Sequence, residues 1–426
     1  METIVALASA RGRAGVAVVR VSGERAWDVC AALAGDVPHA RRATVMVLRD
    51  AAGLMIDQAL VLVFEEGHSF TSERVCEFQV HGGAAVVSAV LRTCMAQPGV
   101  RAAEAGEFTR RAFMAGRMDL TEVEALADLI DAETEAQRLQ ALRVLDGSAG
   151  AAVAAWREDL LQALAILEAA LDFADEELPS DLADHVEAPL QRVLLGLEAQ
   201  LRGRNAAEAV RDGFEVALIG RVNAGKSTLL NWLAGREAAI TSDQAGTTRD
   251  VIEVRMDIAG LPVTLIDTAG LRDTEDPIER LGIERGRARA DAADLRVFLL
   301  SDPLDEPQGV RTGDIVVLSK ADLWGADGVS GRTGEGMEDL LKGISAQLAE
   351  RCKGSSLFSR ERHFDKLERA LLHLVEARRL FGIAGTPWEF VSEEVRSAIR
   401  CLDGIIGRVD VEDVLGRIFS SFCIGK

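Results

Sequence analysis

The run Gly220-x-x-x-x-Gly225-Lys226-Ser227 sets two glycines, a lysine and a hydroxyl at the spacing of a phosphate-binding loop. The apolar run FEVALIG precedes it and TLLNWLAG follows it, so a strand must lead into the loop and a helix must leave it. In that setting the backbone N–H groups of Asn223, Ala224 and Gly225, together with the helix N-terminus, aim at phosphate oxygens. Lys226 brings a positive charge to the outer phosphates and is a candidate catalytic group. The Ser227 hydroxyl is a candidate ligand for Mg²⁺, and Thr228 next to it is a candidate nucleotide contact.

Two further pieces occur in the expected order. Asp267-Thr268-Ala269-Gly270 closes the next parallel strand and resembles the second phosphate-contacting element of the translation-factor class of GTPases: its Asp can hold the Mg²⁺ shell and its Gly amide can meet the γ-phosphate. Thr248, in AGTTRD, resembles the switch threonine that completes Mg²⁺ coordination. Base choice falls to Ser319-Lys320-Ala321-Asp322, where GTPases carry Asn-Lys-x-Asp. The Asp322 carboxylate can accept from guanine N1–H and N2–H₂, a donor pair adenine lacks. Ser319 departs from the usual Asn, which binds guanine N7 and ties this loop to the phosphate loop, so lower nucleotide affinity is expected. Ser330-Gly331-Arg332 resembles the last guanine-contacting loop. Leu271 stands where Ras-like enzymes place the glutamine that orients water, so other groups must supply that function. Asn223, with the polar stretch Ser242-Asp243-Gln244-Ala245-Gly246-Thr247, could seat a monovalent cation beside the phosphates; a loop-stabilising amide is the plainer role for Asn223.

The elements around these residues follow from periodicity. Residues 1–116 alternate β-rich runs (ETIVALAS, GVAVVRVSG, ATVMVLRD, LMIDQALVLVFEE, ERVCEFQV) with two Ala-rich helices, an α+β domain. From Asp119 the apolar period becomes 3.6 and residues 117–213 read as long helices, with one stripe through Val123, Leu126, Ile130, Leu139, Leu142 and Leu145. A second runs through Leu160, Leu164, Leu167 and Leu171 and a third through Leu190, Val193, Leu194, Leu197 and Leu201, with Asp175 to Pro189 between them. Residues 214–346 alternate buried strands and helices as a doubly wound, Ras-like α/β domain. Residues 347–426 return to helical spacing, so the α/β domain is inserted into a discontinuous α-helical domain.

Composition narrows the class. The 426 residues include 48% hydrophobic and 27% charged residues, which excludes a wholly disordered chain. With 48 Lys and Arg against 68 Asp and Glu the net charge is −20, so RNA contact needs a local patch or a partner. No run of eighteen apolar residues and no basic leader occur, and the expectation is a cytoplasmic protein without stable membrane association. The six cysteines include no C-x-x-C pair, which argues against a disulfide framework or zinc site.

The tail Phe422-Cys423-Ile424-Gly425-Lys426 and the segment GEFTRRAFMAGRMDLTEVEALADLI are not features of generic GTPases. With the inserted nucleotide domain they make the whole chain resemble the tRNA modification GTPase family called MnmE or TrmE. The resemblance implies a homodimer that joins a flavin-dependent partner, MnmG or GidA, carrying FAD, in a heterotetramer acting on tRNA. The pair would install an aminomethyl or carboxymethylaminomethyl group at C5 of the wobble uridine. The one-carbon unit would come from a tetrahydrofolate derivative, 5,10-methylene- or 5-formyl-tetrahydrofolate, with K⁺-stimulated GTP hydrolysis driving a conformational cycle. On matching positions, K⁺ would sit among Asn223, Ser242, Gln244 and Thr247, and Mg²⁺ on Ser227 and Thr248. Glu279, in DPIERLGIE, matches the acid that orients the attacking water. Arg20, Glu77, Arg117 and Lys426 match the folate pocket, although the family usually has Lys at Arg117 and Thr at Ser242. Arg20 and Glu77 also lie on predicted strands where an ordinary cross-strand ion pair would account for them. Cys423 has three readings: a prenylated C-a-a-X cysteine, disfavoured by Gly425 and Lys426; a small buried residue ending the stripe Val411, Leu415, Ile418, Phe422; or a site group near the folate.

Two other classes compete. An Era- or Der-like ribosome-assembly GTPase also carries Leu after its DTAG motif and would bring a KH module, for which Gly404-Ile405-Ile406-Gly407 has the glycine spacing in an apolar, helix-like setting. A nucleotide-switched scaffold without one-carbon chemistry would leave residues 1–116 unexplained.

Overall fold

The computed structural model describes residues 2–172, 182–221, 223–235, 253–267, 288–324, 327–383 and 387–409, with 415, 416, 418, 419, 422 and 425 of the terminal segment. It forms two compact units, 1–127 with 406–426, and 128–405.

In the first unit the strands β1 (Thr3–Leu7), β2 (Ala14–Ser22), β3 (Thr44–Arg49), β4 (Met55–Phe64), β5 (Val75–Gly82) and β6 (Val100–Ala102) form one sheet of order β3-β4-β5-β2-β1-β6. The pairs are antiparallel except β1 with β6, which run parallel. Period-two patterning puts Val19, Val21, Val61, Val63, Cys76 and Phe78 on one face, where helices α1 (Ala26–Ala34) and α2 (Ala84–Met95) contribute to the same core. The other face carries Ile4 and Ala6, which pack with Phe108 of a third helix, α3 (Glu107–Met114). The β-rich runs and the two Ala-rich helices stand where periodicity puts them. Periodicity does not reveal β6 or α3: three residues are too few for a pattern, and α3 buries Glu107 and Arg111 along with Phe108 and Ala112, which breaks the apolar stripe.

That charge is concentrated on Glu107, whose side chain is 2% exposed. It accepts from Arg101 (2.8 and 2.6 Å), from Arg111 (2.9 Å) and from the Glu104 amide (2.9 Å). Burial alone would raise this carboxyl, but the bonds from Arg101, Glu104 and Arg111 outweigh it and hold it at about 2. Arg111 also grips Glu73 (3.0 Å to each oxygen) and the Glu2 carbonyl (2.9 Å), so α3 is tied to β1 and to the residues before β5.

The terminal segment folds back onto this unit. Phe419 and Phe422 pack with Val123, Phe113 and Met118. Gly425 (φ +108°) lies so near β1 that a Cβ would stand 2.0 Å from the Leu7 carbonyl, so no other residue fits there without movement.

The second unit contains α4's last residues (α4, Leu120–Asp131), α5 (Glu135–Leu145), α6 (Ser148–Asp172), α7 (Leu182–Arg202) and α8 (Arg204–Asp212), then the inserted sheet, then two further long helices. The stripes Leu160, Leu164, Leu167 and Leu190, Val193, Leu194, Leu197 are buried as their spacing demands. Pro189 does not mark the end of a spacer: α7 begins at Leu182 and contains it. The stripe through Leu139 and Leu142 of α5 is exposed, and α5 instead uses Ala141 and Val144 inward.

The inserted sheet has strands β7 (Phe214–Gly220), β8 (Glu253–Ile258), β9 (Leu261–Asp267), β10 (Leu295–Leu300) and β11 (Ile315–Leu318), in the order β11-β10-β7-β9-β8. Only the β8–β9 pair is antiparallel, turning at Ala259 and Gly260 so that Leu261 and Pro262 already belong to β9. The remaining pairs are parallel, as their near-continuous apolar runs require. Helices α9 (Lys226–Ala234), α10 (Ala321–Trp324) and α11 (Met337–Arg351) follow, then α12 (Glu361–Phe381) and α13 (Trp388–Ile406) of the helical part. The Ala136 amide of α5 donates to the Gly260 carbonyl (2.9 Å), fastening the helical part to the β8–β9 hairpin. The compact units cut the chain at other residues than periodicity does, because Phe419 and Phe422, with Leu415 and Ile418, pack against Phe113 of α3 and against Val123.

Candidate functional site

The phosphate loop runs from the end of β7 to α9. Gly225 is the N-cap of α9 with φ +88°, and Asn223 holds φ +63°, so the chain curls with its amides turned inward before the helix starts. Lys226 is 5% exposed, and its Nζ donates to the carbonyls of Gly220 (2.7 Å) and Arg221 (3.1 Å) across the loop. Burial lowers its pKa, and the Asp267 carboxylate opposes that shift. The Ser227 hydroxyl donates to Asp267 Oδ2 (2.9 Å), so one of the two expected Mg²⁺ ligands lies beside the carboxylate expected to hold the ion's shell. Hydroxyl and carboxylate oxygens suit that hard cation.

The base-reading loop lies at the end of β11. Lys320 has φ +58°, which turns the chain so that Asp322 stands exposed at the start of α10. Ser319 is 3% exposed; its amide and its hydroxyl both donate to the Leu300 carbonyl (2.8 Å each). The hydroxyl that replaces the usual amide is thus used to hold its own loop against β10. Ser319 also pairs with Val329, which brings the third loop alongside. In that loop Ser330 Oγ accepts from the amides of Arg332 (3.3 Å) and Thr333 (3.2 Å). Gly331 presses on α9: a Cβ would stand 2.8 Å from the Leu229 nitrogen and 2.9 Å from the Thr228 carbonyl carbon. The three loops therefore converge on the first turn of α9.

In the first unit Arg20 and Glu77 are direct cross-strand neighbours, Nε to Oε1 2.8 Å, with side chains 25% and 15% exposed. The cross-strand pair anticipated from the strands is present. The guanidinium lies 5.8 Å from the Phe108 ring centre and 6.0 Å from that of Phe70. Ala6 is the β1 neighbour of Arg20, one residue from Leu7, against which Gly425 packs. Arg117 is exposed after α3, its amide bonded to the Ala112 carbonyl, and no side-chain bond joins it to the pair among the described residues. Ser242, Asp243, Gln244, Ala245, Gly246, Thr247, Thr248, Thr268, Ala269, Gly270, Leu271, Glu279, Cys423 and Lys426 lie outside the described residues. Sequence reasoning missed Phe70 and Phe108, which only the fold brings to Arg20, and Arg221 and Asp305, joined at 3.0 Å beside the phosphate loop. The other five cysteines are free, and burial pushes the Cys94 thiol up to about 12, so it is an inert core group.

A strand-loop-helix phosphate cradle, an Asp at the end of the neighbouring parallel strand and an exposed carboxylate on the base loop define a P-loop GTPase. A family model described as the MnmE helical domain matches residues 120–423, and one described as the GTP-binding protein TrmE N-terminus matches residues 3–117. The tRNA modification GTPase MnmE of Cereibacter sphaeroides (strain ATCC 17025) is 53% identical over 431 residues, covering 100% of both chains. That of Roseobacter denitrificans is 51% identical over 435 residues, again covering 100% of both. The chain belongs to the MnmE family of tRNA modification GTPases, and it hydrolyses GTP in tRNA modification. The Era- or Der-like alternative gives way to this family. Gly404, Ile405 and Ile406 are the last turn of α13, with both isoleucines buried, so they form no RNA-clamping loop.

Proposed function

We propose that this GTPase, as a homodimer with a flavin-dependent MnmG-type partner, adds an aminomethyl or carboxymethylaminomethyl group to C5 of the tRNA wobble uridine. The one-carbon unit is drawn from a tetrahydrofolate derivative bound in the N-terminal unit. The observation that carries the folate reading is the Arg20–Glu77 pair, half-buried, flanked by Phe70 and Phe108, and one strand away from the backbone against which Gly425 packs. A carboxylate acceptor and a cation between aromatic rings suit a flat heterocycle that offers N–H donors and carries carboxylates. Arg117 and Lys426 complete the proposed pocket, with Cys423 near it.

In the GTPase domain Lys226 exchanges its two carbonyl partners for phosphate oxygens as nucleotide enters, and Asp322 selects guanine. The residues present fit Mg²⁺, which Ser227 and Thr248 hold with Asp267 in the surrounding shell; when bound, the ion offsets negative charge on the phosphoryl oxygens. Asn223, Ser242, Gln244 and Thr247 are the proposed K⁺ ligands, and Glu279 orients the attacking water in place of the glutamine that Leu271 cannot replace. The α5 bond to the β8–β9 hairpin gives nucleotide-dependent movement a route to the helical part. Among the described residues no helix is long and apolar enough to cross a membrane, and a cytoplasmic site of action accords with a tRNA substrate. Mass spectrometry of wobble nucleosides from a strain lacking this protein tests the reading. Loss of C5 modification is expected, and unchanged C5 modification overturns it.

A further inference from the structure

Parallel neighbours in a sheet are usually joined through a helix. The connection from β10 to β11, residues 301–314, contains none and is organised by two aspartates instead. At its far end Asp314 accepts from Arg296 Nε (3.2 Å) and from the Arg311 amide (2.6 Å). At its near end Asp305 Oδ2 accepts from the Ser301 amide (3.1 Å), the Ser301 hydroxyl (3.2 Å) and the Asp302 amide (3.1 Å). Asp305 Oδ1 accepts from Arg221 Nη1 (3.0 Å).

These bonds join two parts of the nucleotide site. Arg221 is the second residue of the phosphate loop, and its carbonyl holds Lys226 Nζ (3.1 Å). Ser301 follows Leu300, whose carbonyl takes both the amide and the hydroxyl of Ser319. A continuous chain therefore runs from Lys226 through Arg221, Asp305 and the Leu300–Ser301 peptide to Ser319 and the base loop. The Ser319 hydroxyl, turned inward to Leu300, makes no bond to the phosphate loop among the described residues. The Asp305 route is a side-chain connection that adds to the β10–β7 ladder and to the Gly331 contact with α9.

We propose that Asp305 is a positioning residue that couples the phosphate loop to the guanine-reading loop, through Arg221 on one side and Ser301, Leu300 and Ser319 on the other. Arg221 is 79% exposed, so the ion pair by itself is weak. The effect arises because one carboxylate orients both the Arg221 segment and the peptide whose carbonyl seats Ser319.

The test uses the full chain and equilibrium titration with fluorescent GDP and IDP, the latter lacking the 2-amino group that Asp322 reads. Asp305→Ala is expected to raise the Kd for GDP about five- to tenfold and to shrink the GDP-over-IDP preference. Arg221→Ala, an exposed change that leaves the crossover's own bonds in place, is expected to move both quantities the same way. The double variant is expected to lie within about twofold of Asp305→Ala, because both changes break one link. An unaltered GDP-to-IDP ratio in both single variants, or losses that multiply in the double variant, would overturn the coupling.

Discussion

Gly331→Ala probes the convergence of the three loops on α9. The added methyl would stand 2.8 Å from the Leu229 nitrogen, 2.9 Å from the Thr228 carbonyl carbon and 3.0 Å from the Leu229 Cα. All three are backbone atoms of a helix turn, so no side chain can rotate away, and either the loop or the start of α9 must move. Overpacking of this kind costs roughly 1–3 kcal/mol. The same turn carries Lys226, Ser227 and Thr228, so relief of the clash disturbs phosphate binding directly. If half to most of that energy is removed from binding, the Kd for GDP rises about tenfold, since 1.4 kcal/mol is one decade. Isothermal titration of the full chain with GDP measures this. Gly15→Ala is the control, because a Cβ there meets nothing within 4 Å. GDP affinity within about twofold of the parent for Gly331→Ala would refute the inference that this loop bears on the phosphate helix.

Glu107→Gln should destabilise the first unit by roughly 3 kcal/mol at pH 7, since it leaves the buried Arg111 guanidinium short of a charge partner. Because the folded carboxyl is held at about 2, below its ordinary value of 4.5, its stabilisation is present above pH 4.5 and lost as pH falls from 4.5 toward 2. Denaturant unfolding across that range should show a flatter acid limb in the variant, and parallel curves would count against the network. Asp322→Asn should weaken GTP binding about ten- to a hundredfold while weakening xanthosine triphosphate less, because an amide cannot accept from both guanine donors; unaltered calorimetric GTP binding would remove Asp322 as base reader. Glu279→Ala should lower kcat with little change in Kd, and parent hydrolysis should run faster in K⁺ than in Na⁺. Wild-type turnover in the variant, or equal rates in the two salts, would contradict the proposed hydrolysis mechanism.

The chemistry at the nucleotide site was legible because it depends on local spacing. The phosphate loop, Asp267 and the base loop with Asp322 each follow or close a parallel strand, and apolar runs beside them in sequence already identify those strands. Chain-local order also carried the family resemblance, since GEFTRRAF and the terminal residues are contiguous. What stayed hidden involves partners far apart in the chain. Arg20 meets Glu77 and Phe108 only because β2 lies between β5 and β1, with α3 across the face. No periodicity predicts a parallel β6 or the return of Phe419 and Gly425 to the first unit.

Sequence alone therefore determined the class of reaction, because a phosphate cradle needs a fixed succession of residue types over a few turns of chain. The tertiary structure decided how those groups are held. Ser319 shows the division: its identity announces a departure at the base loop, but only packing against β10 directs the hydroxyl to Leu300. Asp305 shows it again, an aspartate in an unpatterned connection that acquires a role when the sheet order places it against Arg221. Hydrogen bonds between distant segments depend on strand order and register, and these are settled by the burial of whole faces rather than by any short run of residues.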